Sequence, residues 1–116
     1  KHVSDKTNWR KMLSGDPSAI DLLKIKNELS NYVPDELKRY ISKDNNVTHI
    51  KYPVSVYPEK IKSLKLEKSH EISAVLKGIK GQYLIFENNE VFNIRAHEGF
   101  VVDFSFEKGS VQSSLF

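Results

Sequence analysis

The hydrophobic pattern changes period once, at Asp44-Asn45-Asn46, and that change limits what the chain can become. Before it, Ile20, Leu22, Leu23, Ile25, Leu29 and Tyr32 recur at near-helical spacing and form one broad apolar face. From Val47 onward the period is two. Phe92, Ile94 and Ala96 alternate with Val91, Asn93, Arg95 and His97, and Phe100, Val102, Phe104 and Phe106 alternate with Val101, Asp103 and Ser105. Each such strand has one apolar and one wetter face. Helices followed by strands predict an α+β fold.

Local signals set the expected boundaries. Thr7 or Asn8 is expected to cap a short helix through Trp9, Met12 and Leu13, ended by Gly15. Asp16-Pro17 then restarts the chain, with aspartate as cap and proline at the first helical position. Pro34-Asp35-Glu36 opens a third short helix the same way, its acids early and Lys38, Arg39 and Lys43 later, which complements the helix dipole. In the second part, Asn88-Asn89 suits the positive φ of a tight hairpin, and Glu98-Gly99 marks a second hairpin turn. Ile72, Ala74 and Leu76 lead into Gly78 and Gly81, where glycine predicts a bulge or sharp bend. Pro53 and Pro58 keep their segment at a sheet edge or in an extended entry loop.

The expected architecture is therefore a helical lead-in over residues 1–46 and a small antiparallel β domain over 47–109. That domain has four or five strands forming a barrel or curled sheet, and 110–116 is a flexible tail. The chain has 116 residues, 39% hydrophobic and 28% charged, which suits one compact domain and is too apolar for general disorder. No apolar run approaches the roughly 20 residues that span a bilayer, so no membrane role is expected. The absence of cysteine excludes disulfides and thiolate-bound zinc within these residues and fits a cytoplasmic location. The chain opens on Lys1 without a basic-then-apolar leader, as expected of a piece of a longer protein.

The formal charge of +3 is too weak to argue for a polyanion, but its distribution is uneven. Between Lys60 and Lys80, six lysines stand against Glu67 and Glu71. Between Gly81 and Glu107, Arg95 stands alone against Glu87, Glu90, Glu98, Asp103 and Glu107. Two readings follow: mutual neutralisation across paired strands, or a basic face that meets phosphate.

Catalytic and metal chemistry find no support. None of His2, His49, His70 and His97 has the paired spacing of a metal site, and no cofactor motif is present. Gly78-Ile79-Lys80-Gly81 has too few glycines for a phosphate loop and precedes a strand. Arg95, His97 and Glu98 can be imagined as an acid–base cluster, but a surface ladder explains them more simply, so no catalytic residue is assigned and the fragment is not expected to be an enzyme. DNA or RNA binding is the better chemical reading. Lys77 and Lys80 flank the glycine corner, with Gln82, Tyr83 and Arg95 on adjoining strands. The competing reading puts Tyr83 in the core and leaves the lysines solvated. Trp9-Arg10 divides the same way, with a packing anchor favoured over a stacking platform.

Beyond Phe106 the alternation is lost, and the chain ends Val111-Gln112-Ser113-Ser114-Leu115-Phe116. Gln112, Leu115 and Phe116 resemble the bacterial sliding-clamp-binding motif, with Ser113 where that motif prefers leucine. The resemblance implies that Leu115 and Phe116 fill a hydrophobic pocket on the clamp and that Gln112 hydrogen-bonds beside it.

Several blocks stand in a distinctive order: Asp5 to Arg10, Tyr52-Pro53-Val54, Tyr57 to Ile61, Gly78 to Phe86, and Asn93-Ile94-Arg95. In that order they resemble an uncharacterised bacterial family known as a domain of unknown function, over Asp5 to about Phe104. Longer members of that family are similar to a cysteine-rich, zinc-binding segment joined to a module resembling GIY-YIG nucleases, with the present portion at the C-terminus. This chain carries none of those cysteines and none of the nuclease-like positions. The resemblance implies a nucleic-acid-related parent protein, and the expected role is an accessory C-terminal module of a DNA-processing protein; the alternative is a structural or protein-interaction module whose strand edges serve self-association.

Overall fold

A computed structural model describes residues 4–15 and 18–107. The chain divides into two units, one of residues 4–8 and 18–50 and one of 9–15 and 51–107. The helix α1 (Trp9–Leu13) belongs to the second unit, with the sheet. No described helix is long and apolar enough to cross a membrane.

In the first unit, α2 spans Leu22–Ser30. Its cap is Asp21, whose side chain accepts from the backbone N–H of Lys24 at 3.0 Å. The expected cap, Asp16-Pro17, lies outside the described residues, and 18–21 are not helical, so the helix starts later than the periodicity suggests. Pro34 does open a third element, but Asp35–Tyr40 is a 3₁₀ helix. Its early acid and later base pair locally, Asp35 with Lys38 at 2.7 Å. No residue of α2 or of this 3₁₀ helix is buried. Lys26 donates to the Asp44 carbonyl and to the Asn45 side chain, tying the helix to the breaker segment.

The second unit is built on four strands, β1 (Lys62–Leu64), β2 (Leu76–Lys80), β3 (Tyr83–Phe86) and β4 (Glu90–Asn93), in the spatial order β1-β4-β3-β2. β2, β3 and β4 form an antiparallel meander, and β1 lies parallel to β4. The α+β class is as expected, but the sheet is open and mixed, not an all-antiparallel barrel. Parallel neighbours need a long crossover, and residues 65–75 carry the chain from β1 to β2 on the opposite edge.

Both predicted special backbones around β3 are present. The β2–β3 loop is Gly81-Gln82, with Gly81 at φ 57°, as two-residue hairpin turns require. The β3–β4 connection places Asn88 at φ 56° and Asn89 at φ 64°, the left-handed region that asparagine tolerates. The pairing of β2 with β3 slips between Leu76 and Gly78, which is the anticipated bulge. Gly78 also has no room for a side chain: a Cβ there would lie 2.8 Å from the Val54 Cα. This close approach lets residues 53–55 cover the outer edge of β2. The Ile79 N–H donates to the Pro53 carbonyl at 3.0 Å, and the Ser55 N–H and hydroxyl both donate to the Lys77 carbonyl at 2.8 Å. Proline lacks an N–H but keeps its acceptor, so Pro53 suits an edge where only its carbonyl is needed.

The second expected hairpin does not form. Asn93 is the last residue of β4, Ile94–His97 is a 3₁₀ turn, and 100–107 contain no strand. The reason is topological. A strand returning from Glu98-Gly99 would pair with the free side of β4, and that side is already taken by β1. Val101 is 99% exposed, and Phe104 and Phe106 are each 79% exposed.

The core is small. Leu13 of α1, Tyr83, Ile85 and Val91 are buried, with Trp9, Val54 and Ile61 packed around them. Tyr83, Ile85 and Val91 share the sheet face that α1 covers, because directly paired residues point to the same side. Full burial of a leucine, isoleucine or valine stabilises by about 1.5–3 kcal/mol, so these few side chains supply most of the local order of the second unit.

Candidate functional site

Lys80 ends β2, between Gly78 and Gly81. Its ammonium donates to the Met12 carbonyl at 2.8 Å, and the last carbonyls of a helix are the ones left without an intrahelical partner. The same nitrogen lies 5.2 Å from the ring centroid of Tyr52 and 5.3 Å from that of Tyr57. Both are within the range of cation–π attraction. Lys80 therefore acts as an internal tie between β2, α1 and the 52–57 segment. The tyrosines of this cage were missed as site residues, although Tyr52-Pro53 and Tyr57-Pro58, two Tyr-Pro pairs five residues apart, are visible in the sequence.

Gln82 is also engaged within the fold. Its side-chain amide donates to the Asn93 Oδ1 at 3.1 Å, and its carbonyl accepts from the Ile94 N–H at 2.9 Å. Asn93 in turn caps the 3₁₀ turn by accepting from the Ala96 N–H at 3.3 Å. Lys77 is half-buried beside the 53–55 edge and helps line a shallow groove of about 190 Å³ with Val56, Tyr57, Pro58 and Phe86. Arg95 is exposed on the 3₁₀ turn. Among the described residues no hydrogen bond joins any two of Lys77, Lys80, Gln82 and Arg95.

His97 is the most tightly held of the candidate groups. It is 8% exposed, stacks on Phe92 at 4.2 Å and 17°, and meets Phe100 edge-on at 5.6 Å. The Leu66 backbone N–H can only donate, so the Nε2 atom 3.2 Å away accepts. The proton of the neutral ring then sits on Nδ1 and is donated to the Asn93 carbonyl at 2.7 Å. Both ring nitrogens are occupied by backbone, and the strand face imagined for Arg95 and His97 is replaced by a tight turn. This geometry suits a clasp between β4 and the segment after β1, not an acid–base pair with Glu98.

Tyr83 lies in the core and Trp9 stacks on it at 5.8 Å and 8°, with the Arg10 guanidinium 4.3 Å over the indole. The packing role expected of Trp9 is the one it fills. Of the two charge readings, cross-strand pairing is represented by Lys62 opposite Glu90. Lys60, Lys62, Lys65 and Lys68 are all exposed, and none makes an ion pair among the described residues. No cluster of potential metal ligands occurs among the described residues. Gln112, Leu115 and Phe116 lie outside them.

No curated protein and no solved structure matches the chain. Residues 1–102 match a family described as a protein of unknown function, DUF2797, and the chain belongs to that family.

Proposed function

We propose that this chain is a non-catalytic interaction module whose apolar surfaces are completed by other protein. The observation that carries this reading is the first unit. Its α2 presents Leu22, Leu23, Ile25 and Leu29, and none of its residues is buried. An isolated helix of this length is marginal in water, and a contiguous apolar face left open marks an association site. The internal engagement of Lys80 and Gln82 also weighs against a ligand site at the glycine corner.

The test is hydrogen exchange of the α2 amides in the purified chain, together with binding of the dye ANS in native buffer. The interaction reading expects fast exchange at 22–30 and clear dye binding. Strong protection of α2 with no dye binding in a monomer would refute it.

A second reading, nucleic-acid contact, is favoured by the exposed, unpaired lysines 60, 62, 65 and 68, with Lys77 and Arg95 as further contacts. It fits a role as the accessory C-terminal module of a bacterial DNA-processing protein, following the likeness to longer proteins with zinc-binding and nuclease-like parts. Anisotropy with labelled single-stranded, duplex and branched DNA and with RNA at two salt concentrations tests it, since phosphate contacts weaken steeply with salt. Docking of the tail on a sliding clamp belongs to the same proposal. Phe116→Ala is expected to abolish clamp pull-down, and unchanged pull-down excludes the docking.

A further inference from the structure

Among the described residues the sheet has one uncovered edge, and residues 101–107 form a strand-like segment that no strand pairs. β3 and β4 are flanked on both sides, and the outer edge of β2 is covered by 53–55, so the outer side of β1 is the open edge among the described residues. Residues 101–107 keep the strict alternation of a strand and make no backbone hydrogen bond among the described residues. Their β-branched and aromatic content favours extended structure.

The two features complement each other chemically. The edge carries Lys60, Lys62 and Lys65, and the segment carries Asp103 and Glu107. Lysines on an edge discourage indiscriminate pairing, whereas a strand bearing acids neutralises them. The apolar row is also in phase. Phe100 meets His97, which stacks on Phe92, and Val102, Phe104 and Phe106 alternate in step with Phe100 along the exposed segment. Leu64 shares the sheet face of Phe92 through its pairing with that residue.

We infer that 101–107 adds as a strand to the outer edge of β1 in a second copy of this chain, and that the exchange is reciprocal. The inference rests on the interaction-module reading and names one partner for it. A second copy is favoured over return onto the same chain by the local backbone. The turn at Gly99 is closed by the Phe100 N–H donating to the His97 carbonyl. The next residue, Val101, is 99% exposed, and 101–107 make no backbone hydrogen bond to the sheet among the described residues. Val101 and Val102 follow with no glycine to turn the chain back. A reciprocal exchange uses the same surface on both copies and closes with two-fold symmetry, which removes both open edges at once.

The absence of cysteine makes the test clean. Ser63→Cys on a tagged chain and Ser105→Cys on an untagged chain are mixed and treated with a short bismaleimide. A tagged–untagged crosslinked species, and double the monomer mass by light scattering, are expected. Phe104→Pro removes a strand N–H on a segment that makes no internal backbone hydrogen bond among the described residues and is expected to abolish both signals while leaving the circular dichroism spectrum of the rest intact. High salt is expected to weaken the dimer. A monomeric mass with no mixed crosslink overturns the inference, as does a crosslink that forms only within a control chain carrying both Ser63→Cys and Ser105→Cys. A dimer that survives Phe104→Pro overturns it too. If dimerisation fails while α2 still exchanges fast and the chain still binds ANS, only this inference falls and the interaction reading stands.

Discussion

Replacing His97 tests whether the second unit is held by a backbone clasp. His97→Ala removes the acceptor for the Leu66 N–H and the donor for the Asn93 carbonyl, and it also removes a ring stacked on Phe92. Each lost hydrogen bond contributes about 1 kcal/mol net, and a partner left buried and unsatisfied costs about 1–3 kcal/mol. The aromatic contact adds about 0.5–1.5 kcal/mol. Both bonds are only part-buried, so water can reach the orphaned groups and the lower end of each range applies. The expected loss is about 2.5 kcal/mol, a large fraction of the 5–15 kcal/mol typical of a whole domain. Urea denaturation followed by tryptophan fluorescence reads it directly, because Trp9 stacks on Tyr83 in the same unit. His97→Phe keeps the stacking and loses both hydrogen bonds, so it is expected to fall between wild type and His97→Ala. A loss below about 1 kcal/mol for His97→Ala, with an unchanged denaturant slope, refutes the clasp. A His97→Phe variant as stable as wild type leaves the ring packing intact and refutes the hydrogen-bond part.

Gly78→Ala drives a Cβ to 2.8 Å from the Val54 backbone, which cannot rotate away, so a loss of about 1–3 kcal/mol is expected. Amide exchange should show the Ile79 N–H released first, and protection equal to wild type would show that 53–55 does not depend on glycine there. Lys80→Met keeps the aliphatic stem but loses the bond to the Met12 carbonyl and the attraction of Tyr52 and Tyr57, at a cost of about 1 kcal/mol for a half-exposed group. A Lys80→Met chain with wild-type stability but weakened DNA binding would return Lys80 to the ligand surface.

The legible parts of the fold were those fixed by local backbone chemistry. Asn88-Asn89, Gly81, the bulge before Gly78 and the edge position of Pro53 each follow from what a residue's own φ or missing N–H permits. The unreadable parts depended on which edge was already taken. Nothing in Lys62–Leu64, a three-residue strand beside lysines, announces that it pairs parallel with Glu90–Asn93. Yet that pairing is what denies 100–106 its expected partner. The same limit applied at the site. Charge and a glycine corner pointed to Lys80, but only the fold reveals that Met12, Tyr52 and Tyr57 converge on its ammonium.

These two failures of sequence reading have different origins, and the difference bears on function. Lys80 looked free and is engaged, because a lysine beside two tyrosines has somewhere better to go than solvent. The alternation of 100–106 signals a strand and stays unpaired, because strand propensity names a need without naming the partner that meets it. A sequence that keeps an apolar residue at every second position from Phe100 to Phe106 while its own sheet has no place for Phe104 and Phe106 is inconsistent at the level of the single chain. Natural chains resolve such conflicts by burial in something else. The exposed apolar face of α2 poses the same demand in the other unit. Under the proposed reciprocal exchange, the second copy at β1 meets both the acids and the alternation of 101–107.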